Sequence, residues 1–348
     1  MAPGPGRVFY VLCVPCVNLL ALCSFIFFSS SSHSPSWIRW PTSLSPREGY
    51  VGVGEKEKAQ LFYYFVKSEG NPVDDPVVLW LTSGLGCSAL SGLVYKIGSM
   101  NFEIVEYNGS LPSLVLNPDS GTQVASIIFV DMPVGTGFSY ATTTEASQSS
   151  DFLQIQQAYV FLRKWLIDHP EFITNPVYVD GDSFSGLTVP GVVANISYGN
   201  AATDPLFENN FEIPYAFGHA IISYELYQGS IGTWQRCNYG LPYAHQIFRS
   251  VDDHLYLSEK GYRSLVYSGD HDMMVTYLGT QAWIRALNFS IIDDWRSWHV
   301  ENQVAGYTRT YSNKMTFATV KGGGHTAPEY KPHECFAMFR SWISGEPL

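Results

Sequence analysis

Three polar residues of this chain sit where a short apolar run gives way to a tight turn of small residues: Ser183, Asp272 and His325. Ser183 lies in Pro176-Val177-Tyr178-Val179-Asp180-Gly181-Asp182-Ser183-Phe184-Ser185-Gly186-Leu187. A β-branched and aromatic run stops at Gly181, and small residues lead on into a helical pattern. Such a strand, sharp turn and helix form a nucleophile elbow, which holds a serine Oγ out at the carboxyl end of a sheet. Small residues are needed because the turn is tight and its backbone strained. Ser185 stands where the motif more often has a second glycine. A Gly-x-Ser in a loop is common, so this stretch alone reads equally as a surface turn.

The partners follow in order. Ser264-Leu265-Val266-Tyr267-Ser268-Gly269-Asp270-His271-Asp272 is an apolar run ending in an acidic turn, and Met315-Thr316-Phe317-Ala318-Thr319-Val320 runs into Lys321-Gly322-Gly323-Gly324-His325. Each reads as a buried strand whose carboxyl-terminal loop carries a polar group. The chain order Ser, Asp, His is the one that α/β-hydrolases use. His325 would take the proton of Ser183 as the hydroxyl attacks an acyl carbon, while a carboxylate orients the ring and stabilises the imidazolium. Asp272 is preferred over Asp270 because Gly-x-x-Asp leaves turn enough for the side chain to reach back. His271 reads as positional, His169 and His219 read as loop or helix-surface residues, and His254 and His299 have no glycine-rich turn to expose them.

The elements that must position these groups are legible in the same way. Gly49–Val53 and Gln60–Val66 read as a hairpin split by the charged turn 55–58. Val77–Leu81 and Ser126–Val130 are continuous apolar runs, the pattern of buried parallel strands. Phe152, Ile155, Tyr159, Leu162, Trp165 and Leu166 fall at helical spacing and Pro170 ends them. Cys335, Phe336, Met338, Phe339 and Trp342 mark a closing amphipathic helix. Asp293–Trp298 is read as packing rather than as a pocket wall. The fold class expected is α/β: a mostly parallel sheet flanked by helices, in one domain over 33–348.

GDSFSG, YSGDHD and GGGHTAPEYKP, with WLTSGLGCSALSGLVYKIG and DMPVGTGFSYA upstream, resemble plant serine carboxypeptidase-like proteins in order from Gly49 to Leu348. The similarity is strongest to the branch containing acyl-glucose-dependent acyltransferases. It implies an oxyanion hole from the amides of Gly84 and Phe184, the first in the loop Thr82–Cys87. There Ser83 replaces a family glycine and Leu85 a proline, which predicts a looser loop and weaker catalysis. It also implies a disulfide between Cys87 and Cys237, leaving Cys335 as a buried thiol. Carboxypeptidases of the family bind a peptide carboxylate with an asparagine and a glutamate at the positions held here by Thr82 and Asp182. The present pair implies a small acyl donor, although Asp182 also reads as a support for the elbow. Three functions follow: acyl transfer from a glucose ester, release of carboxyl-terminal residues from peptides, and a silent relic with a binding role.

The relic reading rests on what is missing. After the elbow helix, relatives continue through another central strand and then a helical insertion that roofs the site. Between Asn195 and Trp234 this chain skips both, and no run between Ala194 and Leu265 replaces the strand; Ala220-Ile221-Ile222 reads as helix. Neighbouring strands lie about 4.8 Å apart. The acid strand is therefore expected to close up by one spacing or to leave an unpaired gap. Either displaces Asp272 and His325 from Ser183, and even 1 Å can cost about a hundredfold.

Composition sets the remaining bounds. With 348 residues, 46% of them hydrophobic, the chain can bury one sizeable core. The net charge of −11 argues against nucleic acid and anionic membranes as partners. Arg7, the apolar run Val8–Phe28 and Ser29–Ser32 have the three regions of a signal peptide, expected to be removed as residues 1–32. A membrane anchor is the rival; Pro15, Asn18 and the lack of a following basic cluster favour cleavage. Sequons at Asn108, Asn195 and Asn288 fit a secreted or vacuolar glycoprotein. No Cys/His cluster has metal-ligand spacing, and acyl transfer needs no cofactor.

Overall fold

The structure, a computed structural model, describes residues 8–13, 47–82, 84–103, 113–197 and 237–348. Its frame is a mixed sheet of eleven strands: β1 (Val8–Cys13), β2 (Arg47–Val53), β3 (Ala59–Val66), β4 (Val77–Leu81), β5 (Ser126–Val130), β6 (Tyr140–Ala141), β7 (Val177–Gly181), β8 (Ser264–Gly269), β9 (Ile291–Val300), β10 (Gln303–Tyr311) and β11 (Met315–Val320). They lie in the order β9-β10-β11-β8-β1-β7-β4-β5-β3-β2, with β6 beside β3. From β11 to β5 every pairing is parallel, and antiparallel strands close both flanks.

The parallel strands are apolar on both faces, as a sheet covered on two sides requires. Along β4, Val77, Leu79 and Leu81 enter one core and Val78 and Trp80 the other. The first core is roofed by α2 (Asp151–Asp168), α3 (Ser185–Ser197), α4 (Val251–Glu259) and α5 (Tyr277–Ala286), through Ile155, Phe161, Trp165, Val189, Val192, Leu257 and Ile284. The second is closed by α1 (Leu90–Tyr95), the short α6 (Ala327–Tyr330) and α7 (Pro332–Ile343), through Leu93, Val94, Ala327, Met338 and Trp342. Helix α2 starts where Ser150 Oγ accepts from the Leu153 amide at 3.3 Å, and stops short of Pro170. The aromatic stretch 293–298 is part of a strand. Trp295 stacks on Tyr307 and Phe317, and the buried Trp298 donates Nε1–H to the Thr319 carbonyl at 2.9 Å.

The centre of the sheet differs from the sequence expectation. There is neither a gap nor a closing-up between β7 and β8, because β1 lies between them and is parallel to both. Val8 faces Val177 and Leu12 faces Gly181 on one side; Tyr10 faces Ser264 and Cys13 faces Tyr267 on the other. The physical reason is backbone satisfaction: all six residues of β8 are buried, and buried N–H and C=O groups need partners. The run Val-Phe-Tyr-Val-Leu-Cys is rich in the branched and aromatic types that suit a strand. The replacement strand comes from the opposite end of the chain, from within the segment expected to be a leader. Residues 198–236, including Ala220–Ile222 and the point where the insertion is missing, lie outside the described residues, as does Asn108.

Candidate active site

Ser183 sits in the turn between β7 and α3 with φ of 64°, the left-handed backbone that a nucleophile elbow imposes on a non-glycine residue. The turn is closed by hydrogen bonds from the Ser185 amide to the Asp182 carbonyl at 3.3 Å and from the Gly186 amide to the Ser183 carbonyl at 2.8 Å. Gly181 has no room for a side chain, since a Cβ there would meet the Leu81 carbonyl oxygen at 2.4 Å. Ser185, in the place of the second glycine, turns its hydroxyl onto the Asp182 carbonyl. Ser183 is itself 1% exposed, and its Oγ makes no hydrogen bond among the described residues. The serine–histidine bond is therefore not closed here; such bonds often tighten only around substrate.

The loops after β8 and β11 are held as one unit. The Asp270 amide donates to the Val320 carbonyl at 3.1 Å and the His271 amide to the Gly323 carbonyl at 2.9 Å. Asp270 Oδ1 accepts from the Gly322 amide at 2.6 Å, so this carboxylate ties the loops together. Asp272 faces the histidine instead: its Oδ2 lies 3.0 Å from His325 Nδ1. Its Oδ1 accepts from the amides of Met274 at 2.8 Å and Val275 at 3.2 Å. The carboxylate is 2% exposed and fixed at both oxygens, which sets the plane of the half-buried imidazole. His271 points to solvent. His254 is buried against Trp283, and burial pushes it down to about 3, so it stays neutral.

The Thr82–Cys87 loop brings Gly84 and Gly86 to φ of 81° and 79°. At both, a Cβ would also collide, with Cys87 Sγ at 2.4 Å and with the Asn238 carbonyl oxygen at 2.3 Å. Cys87 is bridged to Cys237 across 150 residues, and the Asn238 amide donates to the Gly86 carbonyl at 2.8 Å. Ser83 lies outside the described residues. Phe184 places its ring edge-on to Tyr243 and His245, at 6.1 and 5.7 Å. Cys335 is a free, buried thiol that burial pushes up.

Three groups were not singled out by sequence. Lys96 Nζ is ion-paired with Asp182 Oδ2 directly beneath the elbow, both side chains being 1% exposed. Asp182, for which the sequence left open both a contact with substrate and support of the elbow, is buried in this ion pair. Thr82 Oγ1 accepts from Trp80 Nε1 at 3.0 Å. Asp131, fully buried after β5, accepts from Ser88 Oγ at 2.8 Å, the Ala89 amide at 2.7 Å and the Phe138 amide at 2.9 Å. Burial raises it to about 6 against those donors. Asp151, at the first turn of α2, accepts from Tyr243 Oη and from the amides of Gln246 and Ile247, pinning the chain after Cys237. The polar residue inside an apolar block (Lys96 in WLTSGLGCSALSGLVYKIG, Asp131 opening DMPVGTGFSYA) was the available signal.

A parallel sheet carrying a strained serine turn at its carboxyl edge, with an Asp–His pair from two later strands, defines an α/β-hydrolase. The match to known proteins narrows this. The serine carboxypeptidase family model matches residues 35–230 and 227–345, and the chain belongs to that family. It is 43% identical to serine carboxypeptidase-like 7 of Arabidopsis thaliana over 429 aligned residues, covering 95% of this chain and 98% of the relative. Serine carboxypeptidase-like 17 of the same plant is 42% identical over 422. Both alignments are longer than the 348-residue chain, so part of each relative has no counterpart here. The two matched segments of the family model overlap at 227–230, within the stretch where the sequence reading expects an insertion to be absent. Among solved structures, the prohormone-processing carboxypeptidase Kex1Δp of Saccharomyces cerevisiae shares the fold, with a TM-score of 0.71 at 16% identity, covering 88% of this chain and 93% of that one. Among the described residues no helix is long and apolar enough to cross a membrane, and no group of three or more His, Cys, Asp or Glu could hold a metal.

Proposed function

We propose that this chain catalyses acyl transfer through an ester on Ser183, taking the acyl group from a glucose ester and passing it to a small hydroxylated acceptor. The observation that carries the chemistry is the 3.0 Å contact of Asp272 with His325 Nδ1, on the same sheet edge as the strained Ser183 turn. Nδ1 engaged in this way leaves Nε2 as the proton acceptor. As Ser183 Oγ attacks the acyl carbon, its proton passes to His325, and Asp272 stabilises the imidazolium. The amides of Gly84 and Phe184 receive the oxyanion, and the imidazolium returns the proton to the departing sugar oxygen. The acceptor hydroxyl then repeats the sequence in reverse.

The preference for a small ester over a peptide end is supported by the state of Asp182 and Thr82. Asp182 is buried against Lys96 and so is not offered to a terminal carboxylate, and Thr82, which accepts from Trp80, presents a single hydroxyl where the family's carboxypeptidases have an asparagine. The Cys87–Cys237 bridge and the exposed Asn288 sequon support an oxidising secretory route. Supplying purified protein with an acyl-glucose plus acceptor, and separately with a blocked dipeptide, at acidic pH tests the reading. Acyl transfer that Ser183→Ala abolishes is expected. Dipeptide cleavage alone makes the chain a carboxypeptidase, and no reaction with either, together with no fluorophosphonate labelling of Ser183, makes it a binding relic.

A further inference from the structure

We propose that Asp151 is a positioning residue for the oxyanion hole: it fixes a strap of chain, residues 237–247, and the strap holds the loops of both backbone donors, Gly84 and Phe184. This rests on the reading above in which those two amides receive the oxyanion. The donors lie beyond β4 and β7, which pair only as far as Leu81 and Gly181. Past that point the two loops share no ladder. The first of them also carries Gly84 and Gly86 in left-handed backbone, a loop that needs an outside brace to keep one shape.

The strap touches both loops. At its start Cys237 is bridged to Cys87, and the Asn238 amide donates to the Gly86 carbonyl at 2.8 Å. Asn238 Nδ2 also donates to the Gly135 carbonyl at 3.2 Å, which ties in the turn after β5. Toward its end the Phe184 ring stands edge-on to Tyr243 and His245, and those two rings stand edge-on to each other at 5.2 Å.

Asp151 is what anchors the strap. The residue is fully buried, and Tyr243 Oη donates to its Oδ1 at 2.6 Å. The Gln246 and Ile247 amides both donate to its Oδ2, the second at 2.7 Å. Hydrogen bonds to a carboxylate are among the stronger ones, and here a single side chain gathers three. Burial and the carboxylate push the Tyr243 phenol up, so it stays an O–H donor. Tyr243–Ala244 also pairs in parallel with Ser149–Ser150, just before the acid. Asp151 opens α2, whose Ile155, Phe161 and Trp165 lie in the first core, so a rigid element carries the anchor. It acts through the strap and not on the reacting atoms.

The test is the rate at which a fluorophosphonate labels Ser183, together with hydrogen exchange at the Cys87 and Asn238 amides, which bond to the Gly84 and Gly86 carbonyls. In Asp151→Ala labelling should slow by at least about tenfold, since a misplacement of 1 Å can cost about a hundredfold. Both amides should exchange faster, while those of β4 and β5 keep the wild-type rate. Asp151→Asn keeps an oxygen for the two amides, and its NH2 can face Tyr243 Oη, whose hydrogen then turns to Gln154 Oε1 at 2.9 Å. It should label within about threefold of wild type. The control is Asp75→Ala, which frees the Ser68 hydroxyl and the Asn71 amide before β4, at the opposite end of the strand. It should lower the melting temperature and label at the wild-type rate.

Wild-type exchange in Asp151→Ala, an Asn variant as slow as the Ala variant, or equal slowing in Asp75→Ala overturns the proposal. If Asp151→Ala does not fold, Tyr243→Phe takes its place, because it removes only the hydroxyl. Slower labelling with faster Asn238 exchange then supports the proposal, and wild-type values overturn it. A wild type that does not label defeats the catalytic reading on its own account, and exchange at Cys87 and Asn238 then decides whether Asp151 braces the loop.

Discussion

Two buried carboxylates hold the loops of the candidate site, and they do so in opposite ways. Asp272 spends one oxygen on two amides and gives the other to an imidazole, a partner that becomes positive during the reaction. Asp131 grips the loop after Cys87 and the turn at Phe138 with three neutral donors and, among the described residues, no cation, so burial wins and raises it to about 6. A third carboxylate, Asp182, shows the remaining solution: a lysine brought into the interior beside it. The contrast separates a carboxylate placed to answer a charge that develops during the reaction from one that holds loop donors and one that holds a permanent cation, although all three are 2% exposed or less.

That contrast can be broken at several points. The largest effect is expected at Asp272→Asn, which should leave the fold intact but slow Ser183 acylation by about 10⁴-fold, read from the rate of fluorophosphonate labelling. A loss of only a few-fold would put Asp272 with the loop-holding acids. Lys96→Met should remove the cation paired with the buried Asp182, at a cost of about 3–5 kcal/mol in denaturant unfolding. Adding Asp182→Asn to it should recover much of that loss, and no recovery would mean that Lys96 matters through packing.

Asp131→Asn sharpens the contrast by pH. Folding raises this carboxyl from 3.8 to about 6, so its protonated form is the one that the native state favours. Its stabilising contribution is complete below about 3.8 and is lost as pH rises through about 6. Relative to Asp131→Asn, wild type should therefore lose up to about 3 kcal/mol between pH 3.5 and pH 7. A parallel pair of stability–pH curves would show that the three donors already compensate the charge. The smallest effect is expected from Gly84→Ala, about 1–2 kcal/mol from the left-handed backbone and the approach to Cys87, measured as a lower unfolding midpoint.

Much of this was legible in the residues. Strands ending in glycine-bounded polar turns announced Ser183, Asp272 and His325, because a buried parallel strand must be apolar while the loop beyond it need not be. The choice of Asp272 over Asp270 followed from turn length, and the structure gives Asp270 a different task. What could not be read was pairing between distant segments. Ion pairs such as Lys96–Asp182 join residues 86 positions apart, and nothing in either neighbourhood names the other. The same holds for Val8–Cys13, whose apolar run carries the signature of a leader as strongly as that of a strand. Strand and leader make overlapping demands on composition, so the run by itself reads as either. The β9–β10 hairpin was passed over for a related reason: Asp293, Asp294 and Arg296 interrupt its apolar character because its outer edge faces solvent.

The covalent link from Cys87 to Cys237 makes residues 88–236 a closed ring whose two ends are welded at the rim of the sheet. Whatever is gained or trimmed inside that ring, the chain must re-enter the fold at the same point, beside Gly86 and under the grip of Asp151. Because the entropy of closing such a ring changes only slowly with its circumference, residues can be added to or trimmed from the stretch before Cys237 without loosening the point at which the chain rejoins the sheet.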